Sequence, residues 1–142
     1  MASISVLAQN GSTKIFGGKN GVVNSGNGNV LVKSGDISQL TINLMNNLDE
    51  KIPENNIYTI GEENGIVLSG SGNTTYEAQN NNYIIGTNNG IYSTGMGSVS
   101  LTAGNNNIIG WFENTISKNG IYVESGKVTL DADNENRIKA TE

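Results

Sequence analysis

The chain has no cysteine and no histidine. Without cysteine there are no disulfides and no thiolate metal sites, and compartment cannot be read from redox chemistry. Without histidine there is no Ser-His or Cys-His nucleophile and no imidazole metal ligand. Basic residues are also scarce, 8 against 13 acidic ones, for a net charge of −5. That balance excludes a basic nucleic-acid footprint and disfavours an anionic membrane surface. No apolar run approaches the roughly 20 residues of a membrane span, so membrane insertion by this segment is not expected. Met1-Ala2-Ser3 leads straight into strand-like Ile4-Ser5-Val6, with no signal peptide between. If the parent protein is exported, the expectation is a fragment with an added start codon.

Only one proline is present, against 24 Asn and 19 Gly spread along 142 residues. Each glycine inside a helix would cost roughly 1 kcal/mol relative to alanine, which argues against a helical bundle. Gly and Asn tolerate positive φ, so the expectation is many short, repeated turns with turn-forming Asn. Recurring β-branched and apolar positions that could share one core argue against disorder.

Self-similarity organises the chain. Gly-x-x-Asn-Gly followed by apolar residues occurs at Gly17–Val23, Gly61–Val67 and Gly86–Tyr92, and Asn119-Gly120-Ile121-Tyr122 is a fourth copy. The Asn positions 20, 64, 89 and 119 are 44, 25 and 30 residues apart. A compact unit is therefore about 25 residues, and the other two carry excursions. A second block alternates apolar and polar residues: Val30, Val32, Ser34; Thr74, Tyr76, Ala78; Val99, Leu101, Ala103; Val128, Leu130, Ala132; with Ile4, Val6, Ala8 as an extra copy. Period 2 is a strand with one buried face. A third block reads Ile15-Phe16-Gly17, Tyr58-Thr59-Ile60-Gly61, Ile84-Ile85-Gly86 and Ile108-Ile109-Gly110, ending with Ile138, and Asn clusters precede most copies.

Three strand types per unit, each too small to bury its own apolar face, predict a stack. The fold expected is all-β, a right-handed parallel β-helix of about four to five three-stranded coils. It forms a single domain over 1–142 and a piece of a larger repeat protein. Val99 should lie over Thr74 and under Val128, and stacked Asn should form ladders. An antiparallel sandwich would not repeat three distinct strand types. The excursions span 36–54 and 111–117. In the first, Ile37, Leu40, Leu44, Leu48 and Ile52 fall at helical spacing, giving a short helix over 37–52; the rival is a strand at Leu40–Leu44.

The second excursion holds the only Trp. Trp111, Phe112, Glu113 and Asn114 are the candidate ligand-binding residues, able to stack on a sugar ring or to anchor a protein partner. The competing expectation is that the aromatics fold back onto the solenoid. No catalytic residue is assigned, and neither metal nor cofactor is expected. The acidic candidates include Asp49-Glu50 and Glu62-Glu63, the latter in a turn where solvent reaches both carboxylates. Asp131-x-Asp133-x-Glu135 lacks the glycine of a calcium loop. Glu77, Thr102 and Asp131 do not make an outward column combining acids with Lys or Arg, as a polysaccharide-cleaving β-helix would need.

Asn89-Gly90-Ile91-Tyr92…Gly97–Gly110, recurring as Asn119-Gly120-Ile121-Tyr122…Lys127–Asn134, resembles the repeats of haemagglutinin-like and autotransporter adhesin passengers. The resemblance covers most of the chain outside the excursions. It implies a type V secreted bacterial cell-surface stalk or adhesin and transfers no catalytic residues. The partners it implies are a glycan or a host surface protein. The open strand edges at the ends of such a stack add self-association of coils to that set. The rival function classes are a polysaccharide-binding or polysaccharide-cleaving β-helix module and a structural or fibre-like spacer.

Overall fold

The computed structural model describes residues 3–8, 11–35 and 55–141. The helix or strand expected within 37–52, and Asp49-Glu50, lie outside the described residues. The described chain is all-β and runs repeatedly through three parallel sheets, A, B and C. Sheet A contains β1 (Ile4–Ala8), β4 (Val30–Ser34), β7 (Thr74–Ala78), β10 (Ser98–Ala103) and β15 (Lys127–Ala132). Sheet B contains β2 (Thr13–Phe16), β5 (Ile57–Ile60), β8 (Asn81–Ile85), β11 (Asn106–Ile109) and β16 (Glu135–Ile138). Sheet C contains β3 (Asn20–Asn24), β6 (Asn64–Leu68), β9 (Asn89–Ser93) and β14 (Asn119–Val123). A, B and C follow one another in order, so each circuit is one coil of a parallel β-helix about four turns long.

Register follows the repeat residue for residue. Val99 pairs with Thr74 on one side and Val128 on the other. Ile15, Thr59, Ile84, Ile109 and Ile138 form one sheet-B row. The inward rows fill the axis, with Val32, Ile66, Tyr76, Ile91 and Ile109 wholly buried. Each buried aliphatic of this kind stabilises the fold by about 1.5–3 kcal/mol. Tyr76 is the one ring in this axis among the described residues, and its hydroxyl needs a partner there. Thr59 interrupts the Ile row and supplies it, Oγ1 to Oη at 2.8 Å.

The Asn-Gly pairs of the repeat do not make the turns that composition implied, but the Asn ladders expected of the stack are present. Asn20, Asn64, Asn89 and Asn119 open sheet-C strands rather than sit at turns, and none has positive φ. Their side-chain amides form a ladder: Asn64 Nδ2 donates to Asn20 Oδ1 at 2.9 Å, Asn89 to Asn64 at 2.8 Å, and Asn119 to Asn89 at 3.1 Å. A second ladder lies in the sheet-B row, Asn82 Nδ2 to Asn107 Oδ1 and Asn107 Nδ2 to Asn136 Oδ1, each 2.8 Å. It stops at Asn82 because the next residue in the row is Ile57, and the buried Asn82 Oδ1 has no hydrogen-bond partner.

The glycines after the ladder Asn are set by proximity between coils. A Cβ on Gly65 would lie 2.7 Å from the Gly90 carbonyl oxygen and from Ile84 Cγ2. On Gly90 it would lie 2.6 Å from the Gly120 oxygen and from Ile109 Cγ2. The Asn-Gly pair is thus a stacking device, in which the amide donates to the coil before and the missing side chain lets the next coil approach.

Gly90→Ala should lower stability by about 1–3 kcal/mol through forced backbone displacement, read as a shifted urea midpoint. Gly18→Ala, where a Cβ would meet nothing within 4 Å, should leave the midpoint in place. Asn107→Ala should cost about 1–3 kcal/mol in the same assay, since it takes from the buried Asn82 amide one of its two acceptors, leaving only the Thr102 carbonyl, and takes from Asn136 Oδ1 its donor.

Candidate functional site

The second excursion is a β-hairpin. β12 (Trp111–Phe112) pairs antiparallel with β13 (Thr115–Ile116), Trp111 facing Ile116 and Phe112 facing Thr115. Its base is closed by Ser117 N–H donating to the Gly110 carbonyl at 2.8 Å. The chain is back in register at once, with Asn119 N–H on the Asn88 carbonyl at 2.8 Å. Glu113 and Asn114 form the two-residue turn. Glu113 has φ of 54°, the only positive value among described non-glycine residues. Hairpin turns of this length ask for positive φ at the first central position, normally filled by Gly.

The hairpin bends back along the solenoid. The outward row of sheet B reads Lys14, Tyr58, Tyr83, Ile108, Arg137. Tyr58 and Tyr83 stack with centroids 5.0 Å apart and planes within 5°. Each hydroxyl accepts from an Asn two residues earlier, Asn56 at 3.1 Å and Asn81 at 3.2 Å. Phe112 sits edge-on against both rings, at 5.7 and 5.6 Å. Lys14 Nζ lies 5.9 Å from the Tyr58 centroid. Edge-to-face rings contribute about 0.5–1.5 kcal/mol beyond their burial, so Phe112 fixes the hairpin to the flank.

Between hairpin and sheet lies an open groove of about 510 Å³, lined by Lys14, Phe16, Tyr58, Ile60, Phe112 and Glu113. Phe16 is 68% exposed there. Of the four candidate residues, Phe112 and Glu113 border the groove. Trp111 is turned to the last strand instead, with Lys139 Nζ 4.4 Å and Arg137 Cζ 6.0 Å from its ring centroid. Asn114 is exposed at the turn. The sequence reading missed Lys14, Phe16, Tyr58 and Ile60. The available signal was the 25-residue spacing of Tyr58 and Tyr83 at outward positions flanked by inward ones.

The acidic candidates are dispersed. Glu63 faces Lys19 at 3.6 Å, and Glu135 is bound by Arg137 at 2.8 Å. Asp131 lies on β15 and Asp133 in the turn after it. Among the described residues, no three His, Cys, Asp or Glu side chains are grouped to hold a metal ion. One expectation needs correction. The outward row of sheet A does combine an acid with a base, because Lys33 pairs with Glu77 in register and bridges it at 3.1 Å. The 44-residue spacing across the first excursion hid that neighbour.

Comparison of the chain with protein-family models, with curated proteins and with solved structures returned no match.

Two tyrosines titrate above their ordinary range. The Tyr122 phenol is raised chiefly by its hydrogen bond to Glu124, 2.9 Å away. Burial pushes the Tyr76 phenol strongly upward, against the opposing hydrogen bond from Thr59. Folded Tyr76 therefore keeps its proton where the unfolded chain loses it. Its contribution is fully present below about pH 10 and is lost as pH rises toward the folded value, by up to about 1.4 kcal/mol per pH unit. Tyr76→Phe removes that slope. The variant should be less stable than the parent near neutrality, because it strands Thr59, and the gap should narrow above about pH 10. Urea titrations across that range measure it.

Proposed function

We propose that this chain is a non-catalytic segment of a bacterial cell-surface adhesin, a rod that carries a lateral recognition groove on sheet B. The observation that carries the reading is the Glu113 turn. A residue that resists positive φ is held at the tip of a hairpin whose Phe112 closes a largely apolar groove. Strain of this kind, about 1–3 kcal/mol, accumulates at functional positions. The groove offers an exposed ring in Phe16, a carboxylate in Glu113 and an ammonium in Lys14. That set suits the apolar face and hydroxyls of a saccharide, or an extended peptide on a host protein. The coil stack supports a stalk role, since each coil contacts only its neighbours and the rod lengthens by repetition. A saccharide-cleaving reading would rest on Lys33 and Glu77. The two neutralise one another at the surface, which favours a structural ion pair there.

Glu113→Gly separates recognition from folding. It should leave stability unchanged or raise it by about 1 kcal/mol while weakening ligand capture. Phe16→Ala should weaken capture at least tenfold. Glycan arrays and host-surface protein panels are the screens, followed by titration of the best ligand. A ligand held equally well by parent and both variants would place recognition elsewhere, and blank screens with the parent would favour a plain spacer.

A further inference from the structure

The two ends of the coil stack are complementary to each other. The inward rows are closed in the middle and partly open at the ends: Val32 is fully buried and Thr13 of the first coil nearly so, but Ile4 is 58% and Ile138 49% exposed. The outer edges of β1, β2 and β3 at one end, and of β14, β15 and β16 at the other, pair with no strand among the described residues. An open edge exposes a row of unpaired N–H and C=O groups that can template another strand.

The Asn ladders give the two ends opposite polarity. In sheet C every amide donates toward the first coil, so the ladder ends there on Asn20 Nδ2 and at the last coil on Asn119 Oδ1, neither with a further ladder partner among the described residues. In sheet B the sense is reversed. That ladder ends on Asn136 Nδ2 at the last coil, and its row begins at the first coil with Thr13, whose hydroxyl can accept. A copy translated along the axis brings Asn119 Oδ1 to Asn20 Nδ2 and Asn136 Nδ2 to Thr13 Oγ1, with parallel strand pairing throughout. Ile138 then stands in the same row as Ile15 of that copy. A two-fold joint between like ends would oppose Asn20 to Asn20, donor to donor.

We infer that the chain binds a second copy of itself head to tail, last coil on first coil. Such a heterologous contact repeats without closing and grows an open filament. The inference is independent of the groove. The same register sets Arg137 above Lys14, a like-charged pair that salt screens, so association strengthens with ionic strength.

The test uses the 142-residue chain in sedimentation velocity over a wide concentration range. The parent should show mass that rises continuously with concentration and further with salt. Ile4→Lys disables one end and Ile138→Lys the other; both sites are exposed, so far-UV circular dichroism and the thermal midpoint should match the parent. Each variant alone should be monomeric, with self-association weakened at least tenfold. Their equimolar mixture should form a dimer and nothing larger, because one competent end of each kind remains. A parent that stays monomeric throughout overturns the inference. So does a variant that dimerises alone, which is the signature of a two-fold joint between like ends.

Discussion

Neighbouring coils are held at strand-pairing distance, about 4.8 Å, and almost every unusual feature of the chain answers to that closeness. Backbone passes so near backbone at the Asn-Gly positions that no side chain fits, and the carbonyl of the next coil occupies the space a methyl would need. The amide beside it then has one natural partner, the identical amide above or below. The aliphatic rows fill the axis in the same rhythm. Apolar burial supplies the drive, and the Asn and Gly positions determine which residue stands over which. A slip by one position would turn every inward aliphatic outward and part every ladder bond.

Much of this was legible from residue order. The alternating rows, the 25-residue unit and the stacking of Val99 between Thr74 and Val128 required only periodicity, because equivalent residues recur at equal spacing in the compact coils. The Asn ladders were legible too, from the recurrence of Asn at equal spacing, but the place of the ladder Asn and of the Gly beside each was not. Composition associates both with turns, whereas Asn64 and Gly65 are strand residues whose identity is set by a chain segment 25 positions away. Lys33 and Glu77 failed for a related reason, since their adjacency spans the irregular coil. The groove was half visible. The Trp-Phe pair is the sole aromatic run, but only the backward bend of the hairpin joins Phe112 to Tyr58 and Tyr83, which sit in adjacent coils and are remote in sequence from it.

The site therefore arises from superposing two kinds of order. Sheet B contributes a fixed lattice of outward rings, each pinned by an Asn amide to its hydroxyl. The hairpin contributes the irregular element, anchored by edge-to-face packing and tipped by a residue in a costly conformation. Neither alone makes a groove. A regular coil offers a flat flank, and an unsupported two-stranded ribbon is marginal in water.

The speed with which the chain rejoins its path after the hairpin has an evolutionary side. Lys118 and Asn119 resume their backbone bonds to the coil beneath as though the six residues between Gly110 and Ser117 were absent. Lateral ornament and axial architecture are thus separable. Segments of differing length and chemistry can be spliced at this corner while the rod keeps its pitch, leaving the surface free to diversify over an unchanging frame.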